Sequence, residues 1–376
     1  MTTLKYDCLH FPGDRPCKPH KETGVTCDEC NKYKPIEQKI IIIKLDALGD
    51  VLRTTSLLNA LKKKHPGSFI SWFTRKNSKD LFINNDFVNE VLIYEDISST
   101  MRMKIEDYDI VINLDPSANS AAIASVAKGK TKYGFGLNSK GKVYPFNKEA
   151  EEWFKMGALD NLKKQNKKSY QQIIHEICKL EYHKGEIIIE LTENEHKFKN
   201  NFIIEKNLDR FEFIIGINAG ASDRWQFKKW RLEGYTELID LLSKKYNCGI
   251  LLFGGKDEVE TNSVLEQVSK NVINTGESNS LREFFSLVDI TDLFVTGDTL
   301  ALHAASALKK KVVCLFGPTS HTEIEDYGRI IKVIPELDCL VCYKNTCDFR
   351  PNCMEMISSE TVYDHVMKNL KELGKI

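Results

Sequence analysis

The sequence predicts an α/β protein made of two Rossmann-like domains. Apolar runs typical of buried strands alternate with helical patterns along most of the chain, and the alternation occurs in two similar series. Strands that alternate with helices form a parallel sheet that helices cover on both faces. The chain has 376 residues, which is the length of roughly two domains of about 150 residues each.

The first series begins with residues 39–45, a β-branched run that favours a strand buried on both faces. A loop through Asp50 follows, and then a helical pattern that ends at residues 65–67. Apolar runs predict three more strands, at residues 69–73, 90–94 and 110–113. Residues 149–184 are charged and helical, and residues 185–189 form another strand-like run before a polar helix at 193–207.

The second series predicts strands at 213–218, 249–253, 271–274, 293–295 and 311–316, with helices at 232–246, 258–269, 280–288 and 303–308. Apolar residues at helical spacing predict one more amphipathic helix at 359–373. We therefore divide the chain into an N-terminal segment (1–38), a first domain (39–207), a second domain (208–335), a Cys-rich segment (336–356) and a C-terminal helix (357–376).

The composition excludes several classes of protein. The 53 Lys and Arg residues equal the 53 Asp and Glu residues, so no overall positive field attracts nucleic acid, and we expect none as a partner. Gly and Pro number 21 and 10, too few for a low-complexity chain. Residues 1–20 hold no apolar signal segment, and no run reaches the ~20 apolar residues that span a bilayer. We therefore expect a cytoplasmic protein.

The ends of the predicted strands carry the candidate chemistry, because doubly wound sheets bind ligands at the carboxyl ends of their strands. Gly49 and Asp50 follow the first strand. Asp50 is either a general base for a hydroxyl group or a cap for the next helix, and the two roles can coexist. Asp115 follows a later strand and is a second candidate base, although an Asp-Pro turn with Pro116 also explains it.

Three strand ends of the second domain suit an anionic ligand. The first, which follows the strand at 213–218, offers exposed amides and cations to a diphosphate, or is an ordinary turn of small residues. The second is a glycine turn whose two carboxylates, Asp257 and Glu258, meet ribose hydroxyls or cap the following helix. The third combines an Asp-Thr pair with a helical histidine that binds a ligand or simply packs. In chain order the candidates are Gly220, Ser222, Arg224 and Lys228, then Gly254 and Asp257, then Asp298, Thr299 and His303.

Eight of the eleven cysteines fall in two short clusters near the two ends of the chain. A chain without a secretion signal keeps its thiols reduced, so each cluster is a candidate structural Zn or Fe site, with packed thiols as the alternative. A metal ion would supply folding free energy to segments that contain little apolar material. The clusters consist of Cys8, Cys17, Cys27 and Cys30, and of Cys339, Cys342, Cys347 and Cys353.

Taken together, the motifs resemble glycosyltransferase family 9, the ADP-heptose:lipopolysaccharide heptosyltransferases. The matching stretches are residues 43–58, 219–222 and 228–230, together with Asp298, Thr299 and His303. The resemblance extends from about residue 39 to the C-terminus. The Cys-rich stretch before the last helix is also similar to the iron-binding finger of the autotransporter heptosyltransferases.

The resemblance implies a GT-B fold, in which two Rossmann-like domains face each other across a cleft. The first domain would bind the acceptor and the second the nucleotide sugar. Asp50 would be the catalytic base, Lys228 the phosphate-binding lysine, and Asp298, Thr299 and His303 the donor-binding group. One position departs from the family, which usually has glycine where this chain has Leu300. A side chain there hinders close approach of the backbone to the donor.

We therefore predict an inverting glycosyltransferase that moves heptose from ADP-heptose to a hydroxyl group of a lipopolysaccharide core, another glycan, a lipid-linked acceptor or a protein. The resemblance includes no Asp-x-Asp metal site, so we expect no catalytic divalent metal. Transfer of another nucleotide sugar and a metal-stapled binding module without activity stay open, as do a peripheral membrane contact and a homo-oligomer. A dinucleotide oxidoreductase is disfavoured, since neither half has Gly-x-Gly-x-x-Gly after its first strand.

Overall fold

The computed structural model describes residues 3–221 and 223–376, without the side chains of residues 223–225. The predicted donor contact Ser222 therefore lies outside the described residues, as does the side chain of Arg224. Two six-stranded sheets organise the described chain, and helices pack against both. The predicted α/β class is confirmed.

The first sheet contains β1 (Gln38–Ile43), β2 (Ser68–Thr74), β3 (Glu90–Ile93), β4 (Asp107–Asn113), β5 (Lys128–Leu137) and β6 (Val143–Pro145). Their order is β3-β2-β1-β4-β5-β6, and all neighbours are parallel except β5 and β6. Alternate isoleucines of β1 enter two cores, with Ile40 and Ile42 on one face and Ile41 and Ile43 on the other. The strand is thus buried on both faces, as its β-branched run predicts.

The second sheet contains β7 (Phe213–Asn218), β8 (Cys248–Phe253), β9 (Val272–Asn274), β10 (Leu293–Gly297), β11 (Lys311–Leu315) and β12 (Ile330–Val333). Their order is β12-β11-β10-β7-β8-β9, and all neighbours are parallel. Counted within its own domain, each sheet has the strand order of a Rossmann fold. The strand order therefore reverses between β1 and β4 in the first domain and between β7 and β10 in the second.

Helices connect the strands and close the two domains. They are α1 (Lys18–Thr23), α2 (Leu48–Thr54), α3 (Leu58–Lys64), α4 (Ile97–Ile105), α5 (Ala118–Val126), α6 (Lys148–Ala158), α7 (Asp160–Gln165), α8 (Tyr170–Ile177), α9 (Glu193–Glu205), α10 (Leu232–Lys245), α11 (Val259–Glu266), α12 (Leu281–Val288), α13 (Leu300–Ala307) and α14 (Ser359–Glu372). Short 3-10 helices lie at Thr55–Leu57, Lys76–Phe82, Leu208–Arg210, Asp223–Lys228 and Lys256–Glu258. Within the described residues, no helix combines the length and apolar character that crossing a membrane requires.

Residues 185–189 form no strand, contrary to their apolar pattern. The amide of Ile188 donates a hydrogen bond to the hydroxyl of Thr55 at 2.9 Å instead of joining a sheet. The isoleucine side chains of this stretch pack into a core of the first domain. The polar helix that follows, α9, packs against α12 of the second domain.

The N-terminal segment has more regular structure than its Pro and Gly content indicates. Helix α1 carries Pro19 in its first turn, where a missing amide costs little, and Gly24 ends the helix in a left-handed conformation at φ 73°. Cys8 and Pro35 form an isolated antiparallel bridge that joins the two ends of the segment. The second Cys-rich stretch, residues 336–356, contains no helix or strand and is called the Cys-rich finger below.

Candidate active site

A cavity of about 780 Å³ lies between the two domains. Residues that follow β1, β7, β8 and β10 line it, so both domains contribute to its wall. The cavity brings together nine of the predicted base and donor-binding residues. They are Gly49, Asp50, Gly220, Lys228, Gly254, Asp257, Asp298, Thr299 and His303.

The cavity lies where the strand order of both sheets reverses. Asp50 follows β1 at the first reversal, while Gly220 follows β7 and Asp298 follows β10 at the second. Connections on either side of such a point leave the sheet toward opposite faces, and this divergence opens a crevice at the strand ends. Residues far apart in sequence therefore meet at this cavity, because each of them follows the carboxyl end of a strand next to the reversal.

Asp50 is the third residue of α2 and not its N-cap. Its Oδ1 lies 2.8 Å from Nη2 of Arg53, and its Oδ2 accepts a hydrogen bond from the amide of Ala47 at 3.4 Å. Burial alone would raise the pKa of the Asp50 carboxyl, but Arg53 and Lys44 oppose it and lower that pKa to about 2. A carboxylate that is ionised at neutral pH thus lines the cavity.

Asp115, the second candidate base, is not among the residues that line this cavity. The residue is buried, and its Oδ1 accepts a hydrogen bond from the amide of Ser117 at 3.3 Å. This contact is typical of an Asp-Pro turn, here at the start of α5. The geometry therefore favours Asp50 over Asp115 as the group that meets an acceptor.

Lys228 and Asp298 form an ion pair on the wall that the second domain contributes. Nζ of Lys228 lies 3.0 Å from Oδ2 of Asp298 and donates a hydrogen bond to the Asp298 carbonyl oxygen at 3.2 Å. Burial raises the pKa of Asp298, but Lys228 outweighs it, and the net shift is downward. Asp298 is thus ionised, and it holds the lysine ammonium at the cavity, where an anion would bind.

Two helices, one from each domain, begin at the cavity and contact each other there. The hydroxyl of Thr299 accepts a hydrogen bond from the amide of Ala301 at 3.2 Å and caps α13. Gly49, in the first turn of α2, has no Cβ, so His303 of α13 packs directly against it. Burial lowers the pKa of the His303 imidazole to about 4, and Arg53 adds to this shift. His303 is therefore neutral and can donate or accept a hydrogen bond.

Leu300, where the family usually has glycine, is the first residue of α13. Its side chain is half-buried and packs against a core of the first domain, so it helps to join the two domains. The residue also lines the cavity. Leu300 thus adds an apolar group to the wall next to Thr299.

Two glycine turns surround Glu258, the cavity residue that follows Asp257 in the turn after β8. A Cβ on Gly220 would lie 2.5 Å from the carboxyl carbon of Glu258, and one on Gly254 would lie 2.6 Å from its Cβ. Oε2 of Glu258 accepts a hydrogen bond from the amide of Gly255 at 2.9 Å. The missing side chains of the two glycines therefore make room for a carboxylate at the cavity wall, beside Asp257.

The cavity residues that sequence reasoning missed include Arg53, Glu323 and Tyr343. Arg53 is three residues beyond Asp50, a helical spacing that places the two on one face, and this signal was present in the sequence. Glu323 and Tyr343 come from irregular segments after β11 and in the Cys-rich finger. No periodic pattern marks residues in such segments.

The four N-terminal cysteines line a second cavity, of about 470 Å³, together with His10 and His20. In the Cys-rich finger, burial raises the pKa of the Cys353 thiol to about 11, and Cys342, Cys347 and Cys339 add to the rise. Among the described residues, no three His, Cys, Asp or Glu side chains are arranged to hold a metal ion. Metal binding thus stays a prediction.

Comparison with known proteins gives the family. The sequence profile of glycosyltransferase family 9 (heptosyltransferase) matches residues 98–352, which is most of the chain. The chain belongs to glycosyltransferase family 9. The resemblance carried by its motifs is thereby confirmed, and this family 9 protein is a glycosyltransferase.

Relatives of this family 9 protein match it over nearly their whole length. Lipooligosaccharide heptosyltransferase 2 of Campylobacter jejuni is 24% identical over 344 residues, which span 88% of this chain and 98% of the relative. The lipopolysaccharide core heptosyltransferase OpsX of Haemophilus influenzae is 20% identical over 313 residues, which span 79% and 84% of the two chains.

Solved structures show the same fold. The glycosyl transferase family 9 protein from Veillonella parvula is 18% identical, with a TM-score of 0.71 over 90% of this chain and 98% of the other. The Escherichia coli ADP-heptose lps heptosyltransferase II is 18% identical, with a TM-score of 0.65 over 89% and 99%. The iron-containing dodecameric glycosyltransferase TibC of enterotoxigenic E. coli is 13% identical, with a TM-score of 0.56 over 90% and 80%.

Proposed function

We propose that this family 9 protein transfers heptose from ADP-heptose to a hydroxyl group of a lipopolysaccharide core, with inversion at the anomeric carbon. One observation carries the proposal. The Asp50 carboxylate of the first domain and the Lys228–Asp298 pair of the second line the same cavity. A base and an anion site in one cleft suit attack by a hydroxyl group on a sugar whose leaving group is a nucleoside diphosphate.

The second domain would bind the donor. Lys228 and the amides that begin α13 after Thr299 would bind the diphosphate, since an ammonium group and a helix N-terminus both stabilise phosphate charge. Asp257 and Glu258, which follow β8, offer carboxylate oxygens to the ribose hydroxyls. Neutral His303 can hydrogen-bond a hydroxyl group of the sugar.

Asp50 would act as the base. As the acceptor oxygen forms its bond to the anomeric carbon, its proton moves to the Asp50 carboxylate. The bond between the anomeric carbon and the diphosphate oxygen breaks, and ADP leaves with that electron pair. Lys228 stabilises the charge that develops on ADP. Attack and departure on opposite faces of the sugar invert the anomeric centre, and no covalent enzyme intermediate is needed.

The identity of donor and acceptor is inferred from relatives. The C. jejuni relative is a lipooligosaccharide heptosyltransferase, and the E. coli structure is that of an ADP-heptose lps heptosyltransferase. A second candidate, transfer of a different nucleotide sugar, is favoured by Leu300, which places a branched side chain on the wall where the family usually has glycine.

We further propose that each cysteine cluster holds one structural Zn or Fe ion away from the reacting atoms. Four thiols line one cavity in the N-terminal segment, and four more lie within the 15 residues from Cys339 to Cys353 in the Cys-rich finger. Thiolate sulfur is a ligand that both metals favour. TibC, which shares the fold, is an iron-containing dodecamer, and this supports iron in the finger and a homo-oligomer for this chain as well.

Product analysis tests the proposed reaction. The purified protein is incubated with ADP-heptose and a heptose-free lipopolysaccharide core, and in parallel with a panel of other nucleotide sugars and acceptors. Mass spectrometry is expected to show the acceptor heavier by one heptose, with one ADP released. Transfer of a different sugar selects the second candidate. ADP binding by calorimetry without transfer from any donor would contradict the enzymatic proposal and indicate a binding module.

A further inference from the structure

A line of side-chain contacts joins the Cys-rich finger to Asp50. The hydroxyl of Tyr343 donates a hydrogen bond to Oε1 of Glu323 at 3.2 Å. Oε2 of Glu323 lies 4.0 Å from Nη2 of Arg53, and the same Nη2 lies 2.8 Å from Oδ1 of Asp50. All four residues line the cavity between the domains. Two carboxylates, one from each domain, therefore share one arginine nitrogen.

The guanidinium group of Arg53 is confined between these carboxylates. Its central carbon lies 3.8 Å from the centre of the Tyr170 ring, and only 11% of the arginine side chain is exposed. The Tyr170 ring is itself fixed, because its hydroxyl lies 2.7 Å from Oγ1 of Thr54 and its amide donates to the carbonyl of Glu323 at 2.9 Å. Arg53 is thus held within reach of both carboxylates, 2.8 Å from Asp50 and 4.0 Å from Glu323.

The backbone of the Cys-rich finger positions Tyr343 at the cavity. The residue follows Cys342, its amide donates to the carbonyl of Pro318 at 2.9 Å, and its hydroxyl accepts from the amide of Ser320 at 3.2 Å. Val341 and Tyr343 both have left-handed backbone conformations, with φ of 59° and 51°. Such conformations are rare for L-residues and persist where the surrounding structure imposes them. The finger therefore fixes where the tyrosine hydroxyl lies.

The finger also contacts both domains. Nζ of Lys163, in the first domain, lies 4.5 Å from the centre of the Tyr343 ring, and Nζ of Lys164 donates to the carbonyl of Asp338 at 3.3 Å. In the second domain, a Cβ on Gly317 would lie 2.8 Å from Sγ of Cys353, so the glycine leaves room for the finger. A change in the fold of the finger would thus move Tyr343, which lines the cavity.

We propose that Glu323 and Tyr343 are positioning residues of the transferase site, which strengthen Asp50 as a base by sharing the positive charge of Arg53 with it. This inference rests on the proposed role of Asp50. A carboxylate that pairs closely with an arginine is a weak proton acceptor, and a second carboxylate that competes for the same cation reduces that pairing. The Tyr343 hydroxyl keeps Glu323 oriented for this competition.

The charged groups around Glu323 set the pH at which it can act. Burial raises the pKa of Glu323, and the negative charges of Asp298 and Asp50 raise it further. The positive charge of Arg53 and the hydrogen bond from Tyr343 lower the same pKa. The net shift is upward, whereas the pKa of Asp50 is about 2. On acidification Glu323 therefore loses its charge well before Asp50 does, and the native protein should lose kcat as Glu323 is protonated.

The variants Glu323→Gln and Tyr343→Phe test the inference when kcat, the donor KM and the calorimetric Kd of ADP are measured from about pH 5 to about pH 8. We expect Glu323→Gln to lower kcat about 10-fold at neutral pH and to leave the donor KM and the Kd of ADP within about 2-fold of the native values. The variant should also lack the acid limb, which is the loss of kcat that the native protein shows as the pH falls. Tyr343→Phe should keep the acid limb and move it to higher pH, because the lost hydrogen bond had favoured the charged form of Glu323.

Glu325→Gln and Tyr327→Phe are matched controls. Glu325 pairs with Lys184, and the hydroxyl of Tyr327 donates to the carbonyl of Gly185 at 2.7 Å, so both control residues contact the first domain without lining the cavity. Both controls should keep the native pH profile. An acid limb that persists in Glu323→Gln, or the same profile for test and control variants, would overturn the inference and leave the role of Asp50 intact. Native turnover in Asp50→Asn would instead overturn the proposed role of Asp50 as the base, and absence of transfer by the native protein would overturn the proposed function.

Discussion

Gly49 lies directly against His303, so that a Cβ on Gly49 would stand 2.9 Å from Cδ2 of the imidazole. The same Cβ would stand 3.5 Å from Cα of Leu300. The first turns of α2 and α13, one from each domain, are thus in contact at the cavity because residue 49 has no side chain. This contact brings the carboxylate of Asp50 beside the donor wall.

Gly49→Ala is expected to push the two helices apart. Overpacking of this kind costs about 1–3 kcal/mol, and kcat should fall because Asp50 moves away from the donor. Thermal unfolding and steady-state kinetics measure the two effects. Gly157→Ala is the control, because a Cβ there meets no atom within 4 Å, and replacing a helical glycine stabilises a protein by roughly 0.5–1 kcal/mol. Similar results for the two variants would show that the contact is unimportant.

Lys228→Met removes the ammonium group that we assign to the diphosphate. A hydrogen bond to a charged group contributes about 1.5–3 kcal/mol, so the Kd of ADP should rise about 10- to 100-fold. Calorimetry with ADP measures this change. Lys256→Met, at an exposed lysine outside the cavity wall, should leave the Kd of ADP unchanged. An unchanged Kd in Lys228→Met would place the diphosphate elsewhere.

His303 should make the stability of the protein depend on pH. Its folded pKa of about 4 lies below the ordinary value of 6.5, so the unfolded chain takes up the proton first as the pH falls. The free energy of unfolding therefore decreases as the pH falls from 6.5 to about 4. The neutral imidazole contributes its full share of stability only above pH 6.5.

Thermal unfolding of the native protein and of His303→Asn across this window measures the contribution. We expect the unfolding temperature of the variant to fall less steeply on acidification. His183→Asn, at a side chain that is 70% exposed, should follow the native curve. Parallel curves for all three proteins would contradict a buried, neutral His303.

The cysteine clusters should appear in elemental analysis. We expect two equivalents of Zn or Fe in the purified protein, and the loss of one equivalent in Cys347→Ser or in Cys27→Ser. Because metal binding supplies folding free energy, each of these variants should also unfold at a lower temperature. Cys178→Ala, at a buried cysteine outside both clusters, should keep both equivalents. Metal-free native protein of undiminished stability would contradict the proposal.

The strand-end residues of the cavity could be predicted from the sequence because local patterns mark them. The β-branched run before Asp50 and the apolar run before Asp298 each indicate a buried parallel strand, and such strands present their following residues at one edge of a sheet. The start of α2 was harder to place. Ala47 precedes the helix without a side chain that could cap it, so no residue type marks the boundary, and Asp50 falls inside the first turn.

The contacts of Glu323 and Tyr343 could not be predicted in this way. Glu323 meets Arg53 across the domain cleft, and Tyr343 meets Glu323 through an irregular segment of the finger. Neither residue belongs to a helix or strand whose period would show which way its side chain points. Residues 185–189 show the converse limit, because their apolar pattern is satisfied by packing without any sheet hydrogen bond.

Turnover of Asp50→Asn, with ADP-heptose and the acceptor found by product analysis, tests the central claim most directly. The substitution keeps the size of the side chain and removes the proton acceptor. We expect kcat to fall by about 10²- to 10⁴-fold and the Kd of ADP to stay nearly unchanged, while Asp115→Asn, outside the cavity wall, keeps most of its turnover. Near-native turnover in Asp50→Asn, or its loss only in Asp115→Asn, would contradict the assignment of Asp50 as the base.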